Sequence, residues 1–197
     1  MTESPKVVVI AGPNGAGKST AATRILQDAL AVQEFVNADV IARGLSAFKP
    51  ESVALTAGRV MLQRLDALAA ERADFAFETT LASRSFAPWL KRLNVSGYEF
   101  HLFFVWLPTA EAAIARVQER VRSGGHHVPE ATVIRRFQSG LKNFFELYRP
   151  LATSWQVVNN ENVLTPQVIA QGIQGLTSNV GDEFLWDSIL GAHGYES

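Results

Sequence analysis

An α/β domain with a parallel sheet is what the sequence predicts, on three observations. Short β-branched or aromatic runs alternate with amphipathic stretches of helical period along the chain. The first run, Val7-Val8-Val9-Ile10-Ala11, is apolar throughout rather than alternating, as a strand covered on both faces requires. It ends at Gly12, in a glycine-rich turn that opens directly into an amphipathic stretch.

The elements follow in order. Residues 19–30 predict a helix with Ala22, Ile25, Leu26 and Leu30 on one face. A short strand is expected at 34–37. A long amphipathic stretch follows from Pro50 to about Arg72, its inner positions being Val53, Ala57, Val60, Met61, Leu65 and Leu68. Residues 74–78 read as a third strand, and 85–93 as a helix that Gly97 closes. Tyr98 to Leu107 contains Phe103-Phe104-Val105-Trp106, the most apolar run and a central strand whose aromatic residues belong to the core. Thr109 can cap the next helix, with Ile114, Val117 and Val121 inward, until Gly124-Gly125 breaks it. Pro129 suits the start of another helix carrying Ile134, Phe137, Leu141, Phe144 or Phe145, and Tyr148. Residues 155–159 are expected as the final strand. Thr165-Pro166 is expected to cap a helix through Leu176, and 182–190 to form a terminal helix docked through Trp186 with Phe184, Leu185, Ile189 and Leu190, rather than a partner surface. The whole, residues 1–197, reads as one domain with a lid at about 122–136 and a helical tail at about 180–197.

Composition narrows the function. Lys plus Arg number 18 against 19 Asp plus Glu, a net charge of -1, which lacks the basic footprint of a general duplex-binding protein. Hydrophobic residues at 47% and charged ones at 19% fit a globular chain. The absence of Cys excludes disulfides, thiolate metal sites and a Cys nucleophile. No stretch has the character of a secretory leader or a membrane span, so a soluble cytoplasmic protein is expected.

Gly12-Pro13-Asn14-Gly15-Ala16-Gly17-Lys18-Ser19 fits the phosphate-binding pattern G-x-x-x-x-G-K-S/T. Glycines let successive N–H groups curl around phosphate oxygens, and the following helix points its positive end at the same anion. Lys18 can reach the β- and γ-phosphates and Ser19 can ligate Mg²⁺. The expected nucleotide contacts are Gly12, Asn14, Gly15, Ala16, Gly17, Lys18, Ser19, Thr20 and Arg136.

Large AAA or transporter-type ATPases show an apolar strand ending in Asp-Glu and further domains. The chain shows neither, and a small P-loop kinase fits better. Asp39, after the second predicted strand, can accept or orient a hydroxyl proton, or can cap the helix that follows. Glu78, with Thr79 and Thr80, ends the third strand where open α/β sheets bind ligands, or ends it in solvent. Arg122, Arg135 and Arg136 flank the Gly-Gly-His-His-Val-Pro segment, where they can clamp phosphoryl oxygens or simply face water. Gly124 and Gly125 offer hinge freedom, and His126-His127 fit a lid better than a metal site.

Together, Gly12 to Thr20, Asn37-Ala38-Asp39-Val40-Ile41-Ala42, Phe77-Glu78-Thr79-Thr80 and Arg122-to-Pro129 followed by Ile134-Arg135-Arg136-Phe137 resemble the zeta toxin family, in its compact bacterial branch. The likeness spans about Lys6 to Asn160. It implies a P-loop kinase fold, a three-layer sandwich with parallel strands in order 2-3-1-4-5. It implies ATP- and Mg²⁺-dependent phosphorylation of UDP-N-acetylglucosamine at the 3′-hydroxyl of the amino sugar. Asp39 then takes the base position, Lys18 and Ser19 the phosphate and metal positions, Glu78, Thr79 and Thr80 the substrate side, and Arg122 and Arg135 the lid, with Arg136 as the alternative to Arg135. A small antitoxin over the nucleotide pocket is the partner that the resemblance suggests. Another hydroxyl acceptor, and a nucleotide-dependent binding switch, are the competing readings.

Overall fold

The computed structural model describes residues 4–26, 32–125, 127–162, 165–192 and 194. One sheet organises them. Its strands are β1 (Lys6–Ala11), β2 (Glu34–Val36), β3 (Phe75–Thr79), β4 (Glu99–Trp106), β5 (Ser154–Asn159), β6 (Gln167–Ile173) and β7 (Leu176–Val180). Their spatial order is β2-β3-β1-β4-β5-β6-β7. The first five are parallel and keep the predicted order 2-3-1-4-5, and β6 and β7 extend the sheet antiparallel. The helices are α1 (Lys18–Arg24), α2 (Ala38–Leu45), α3 (Ala54–Ala70), α4 (Phe86–Val95), α5 (Ala110–Arg122), α6 (Glu130–Asn143) and α7 (Glu183–Gly191).

Strand alternation assigns the two faces. Val7, Val9, Phe75, Phe77, Phe100, Leu102 and Phe104 enter one core with Met61, Leu65 and Leu68 of α3, Leu90 of α4 and Trp186 of α7. Val8, Ile10, Ala76 and Val105 enter the other with Ala22 of α1 and Ala113 and Val117 of α5. Every β1 residue from Val7 to Ala11 is fully buried, which is why its sequence does not alternate.

Boundaries agree closely with expectation up to β5. Helix α1 begins at Lys18, and its expected end at Leu30 lies outside the described residues. The stretch from Pro50 opens as a 3-10 turn, Pro50–Val53, before α3, and Val60 is exposed rather than inward. Thr109 caps α5 by accepting from Ala112 N–H at 3.1 Å. On α6 the inward residue is Val133, and Ile134 faces outward.

The segment after β5 overturns the prediction. Residues 165–176 form no helix, and Thr165-Pro166 is no cap: β6 and β7 make a hairpin there, so β5 is not the last strand. The turn is Gln174-Gly175, both left-handed (φ +49° and +81°), the geometry that two-residue hairpins favour. Val168, Ile169, Ile173 and Leu176 have a spacing that suits either structure. The open edge of β5 decides it, because pairing there satisfies backbone groups and seats Gly172 against the Trp155 ring, where a side chain would collide. Helix α7 docks through Trp186, Ile189 and Leu190, whereas Phe184, on its first turn, is exposed rather than docked; Asp182 caps the helix, so it begins at Glu183.

Gly12 leaves β1 at φ +139°, and a Cβ there would collide with the Val105 carbonyl of β4. Gly12→Ala is therefore expected to cost about 2–3 kcal/mol of stability, from backbone strain and overpacking together. Thermal unfolding of the variant checks this, and an unchanged midpoint would show that the turn has another conformation open to it.

Candidate active site

Chain reversal at Gly12 places the glycine-rich loop over the carboxyl ends of β1, β3 and β4, where parallel strands leave a crevice. Gly15 and Gly17 are both left-handed (φ +79° and +82°), and Gly17 starts α1 without a side-chain cap. The first-turn N–H groups of α1 are thus left for an anion.

Lys18 is only 6% exposed. Its Nζ donates to the Pro13 carbonyl at 2.9 Å and lies 3.5 Å from Glu78 Oε1. Burial pushes its ammonium below the usual lysine range, while the Glu78 and Asp39 carboxylates hold it up. Glu78, two residues beyond inward Ala76 on β3, points to the α1 face. Its Oε2 accepts from Ser19 Oγ at 2.6 Å and from Asn37 Nδ2 at 2.8 Å. At 13% side-chain exposure it is a held group rather than a solvated strand end.

The helix-capping role open to Asp39 belongs instead to Asn37. The buried Asn37 side chain accepts from Asp39 N–H at 2.8 Å and Val40 N–H at 3.3 Å, starting α2 at Ala38. Asp39 sits in the first turn, its carboxylate acting on both Lys18 and Arg136. A cavity of about 220 Å³ gathers Asn14, Lys18, Asn37, Asp39, Glu78, Thr79 and Thr80, walled by Met61 and Phe86 and overhung by Arg120 and Arg136.

The arginines separate by helical phase. Arg136 Nη1 donates to Asn14 Oδ1 at 3.3 Å, tying α6 to the phosphate loop. Burial, then Arg135, lowers its pKa, and Asp39 opposes. Arg135 is exposed. Arg122 pairs with Glu119 at 3.3 Å on the exposed side of α5 and does not line this cavity. Arg120 does, and it also lines a neighbouring cavity of about 490 Å³ with Arg43, Phe48, Glu51 and His127. Gly124 (φ +86°) and Gly125 end α5: their N–H groups donate to Val121 and Arg120 carbonyls at 3.0 and 2.8 Å, so the pair is a helix stop. His126 lies outside the described residues. Thr20 is exposed on α1.

Sequence reading missed Asn160. It is 4% exposed at the end of β5, and its Nδ2 donates to the Ala16 carbonyl at 2.7 Å, packing where a Cβ on Gly17 would go. Nothing local marks it, because its partner lies across the sheet.

Residues 7–143 match the AAA_33 family, described as an AAA domain, and the chain belongs to that family. A Haemophilus influenzae protein, described as uncharacterized, is 31% identical over 132 residues, 67% of this chain and 92% of its own length. Solved structures share the fold. A chain of the AvrRxo1-ORF1:AvrRxo1-ORF2 crystal structure with sulphate ions superposes at TM-score 0.75 and 18% identity, covering 94% of this chain and 63% of that one. The same pair has been crystallised with ATP, at TM-score 0.73 and 19% identity. A chain from the PezAT chromosomal toxin-antitoxin system of Streptococcus pneumoniae gives 0.66 at 14% identity, covering 94% of this chain and 78% of its own. This chain thus spans under two thirds of the matched AvrRxo1 chain. The fold is an α/β P-loop kinase-like one, with a mixed seven-stranded sheet. Among the described residues no helix is long and apolar enough to cross a membrane.

Proposed function

We propose that the chain is an ATP-dependent phosphotransferase of zeta-toxin type, moving the γ-phosphoryl group to a hydroxyl of a small anionic acceptor. The acceptor we favour is UDP-N-acetylglucosamine, at the 3′-hydroxyl of its amino sugar. The observation that carries the reading is the single cavity that gathers a buried phosphate-loop lysine, Asp39 and, beside that lysine, Glu78, with Thr79 and Thr80 following on the wall. A motor ATPase needs no carboxylate placed to accept an alcohol proton beside that lysine. Arg43, Arg120 and His127 around the adjoining cavity suit an acceptor that carries phosphate.

In this reading the N–H groups of the loop and Lys18 cradle the phosphates. Asp39 takes the acceptor hydroxyl proton as the oxygen attacks phosphorus, and ADP departs. Arg120 and Arg136 offset the charge on the equatorial oxygens. Ser19 Oγ and Glu78 Oε2, 2.6 Å apart, are hard oxygen donors that suit Mg²⁺. When bound, Mg²⁺ would neutralise charge on the phosphate oxygens. A small protein partner seated over the nucleotide pocket belongs to the same proposal, on the likeness to the PezAT toxin-antitoxin system.

The test is incubation with Mg²⁺, ATP and UDP-N-acetylglucosamine followed by mass spectrometry. A sugar nucleotide heavier by one phosphate is expected, and its absence with ATP binding intact would exclude this acceptor. Arg136→Ala should lower turnover about 100-fold, more than Arg122→Ala does. The reverse order would return the clamp to Arg122 and require the end of α5 to turn over.

A further inference from the structure

The loop after β3 adopts a conformation that its own sequence does not favour. Leu81 is fully buried yet has φ +55°, left-handed for a residue with a branched side chain. Such backbone persists only where its surroundings over-determine it. Within the loop, Leu81 N–H donates to Thr79 Oγ1 at 3.1 Å. Ser83 and Ser85 bond to each other further along the loop, and further support comes from α6 and the π-helical turn Phe144–Tyr148 behind it.

Asn143, buried at 6% exposure, donates from Nδ2 to the Leu81 carbonyl at 2.7 Å and the Ala82 carbonyl at 3.3 Å. The Tyr148 hydroxyl donates to the Ser83 carbonyl at 2.6 Å. Gly140 packs so closely on the Thr80 carbonyl that a side chain there would collide. Asn143 and Tyr148 are five residues apart. On an α-helix that spacing turns side chains about 140° away from each other. The π-helical turn brings them back to one side, so both reach the same loop.

From these contacts we infer that Asn143 is a positioning residue: through Leu81 it fixes Thr79 and Thr80 on the acceptor wall of the cavity. It does not line the cavity itself. The same helix carries Arg136, bonded to Asn14 of the phosphate loop, so α6 spans both sides of the reaction. The inference rests on reading the cavity as a phosphotransfer site.

Asn143→Leu keeps the branched shape and the number of heavy atoms and removes both donors. Two readouts are taken on the full chain. Amide exchange in residues 81–85 should quicken at least tenfold, with β1 amides unchanged. The KM for UDP-N-acetylglucosamine should rise about tenfold while the KM for ATP stays within twofold. Unchanged loop exchange, or ATP and acceptor KM rising together, would overturn the inference. If Asn143→Leu does not fold, Tyr148→Phe replaces it and should loosen residues 83–85, and a wild-type exchange pattern there would likewise overturn it. If the wild-type protein makes no phosphorylated UDP-N-acetylglucosamine, the acceptor assignment fails, and the exchange readout, which needs no acceptor, still decides the clamp.

Discussion

Asp39→Asn is expected to lower product formation about 1,000-fold while MgATP affinity stays within about twofold. The two side chains are nearly isosteric, and Asn37 rather than Asp39 caps α2, so the helix start survives the exchange. What disappears is a group able to take a proton beside the phosphate loop. Asp39 also helps hold Lys18 in its charged form, but Glu78 does more of this and remains in place. Nucleotide binding by titration calorimetry, set against turnover by mass spectrometry, separates the two effects. Turnover within tenfold of wild type would remove Asp39 from the base position.

Lys18→Met is the second large effect, and its two consequences run in opposite directions. Turnover should fall at least 1,000-fold and MgATP affinity at least tenfold, because the cation facing the phosphates is gone. Stability should change little. A buried ammonium carries a desolvation penalty, and methionine fills a similar volume without it. The loss is that of the bond to the Pro13 carbonyl, of the attraction to Asp39, and of one of the three groups on Glu78, which keeps its bonds from Ser19 and Asn37. Thermal unfolding is the check, and a fall of more than about 10 °C would mean that Lys18 is a structural strut, since 1 kcal/mol moves a domain of this size by about 2–4 °C.

Arg120 and Arg122 differ in their phase on α5. Val117 faces the core, Arg120 is one turn on and overhangs the cavity, and Arg122 lies about 140° round the helix from Val117, on the exposed side. The phase was legible from Val117.

The linear order of residues by itself determined the phosphate loop, because that chemistry is written in eight consecutive positions. It also determined the first five strands: β1 is apolar throughout, as a strand buried on both faces must be, and β2 to β5 are short apolar or aromatic runs set between stretches of helical period. Asp39 and Glu78 were legible for a related reason: each closely follows or ends a strand, and strand ends line the crevice. Only the tertiary structure decided the hairpin over residues 167–180, since its spacing fits two local structures and the open edge of β5 selects one. It alone found Asn160, which meets Ala16 from 144 residues away, and Asn143, which meets Leu81 from 62. A lone asparagine carries no periodicity or motif. Its role is set by which backbone carbonyl the fold brings within reach, and that depends on how the sheet and helices pack.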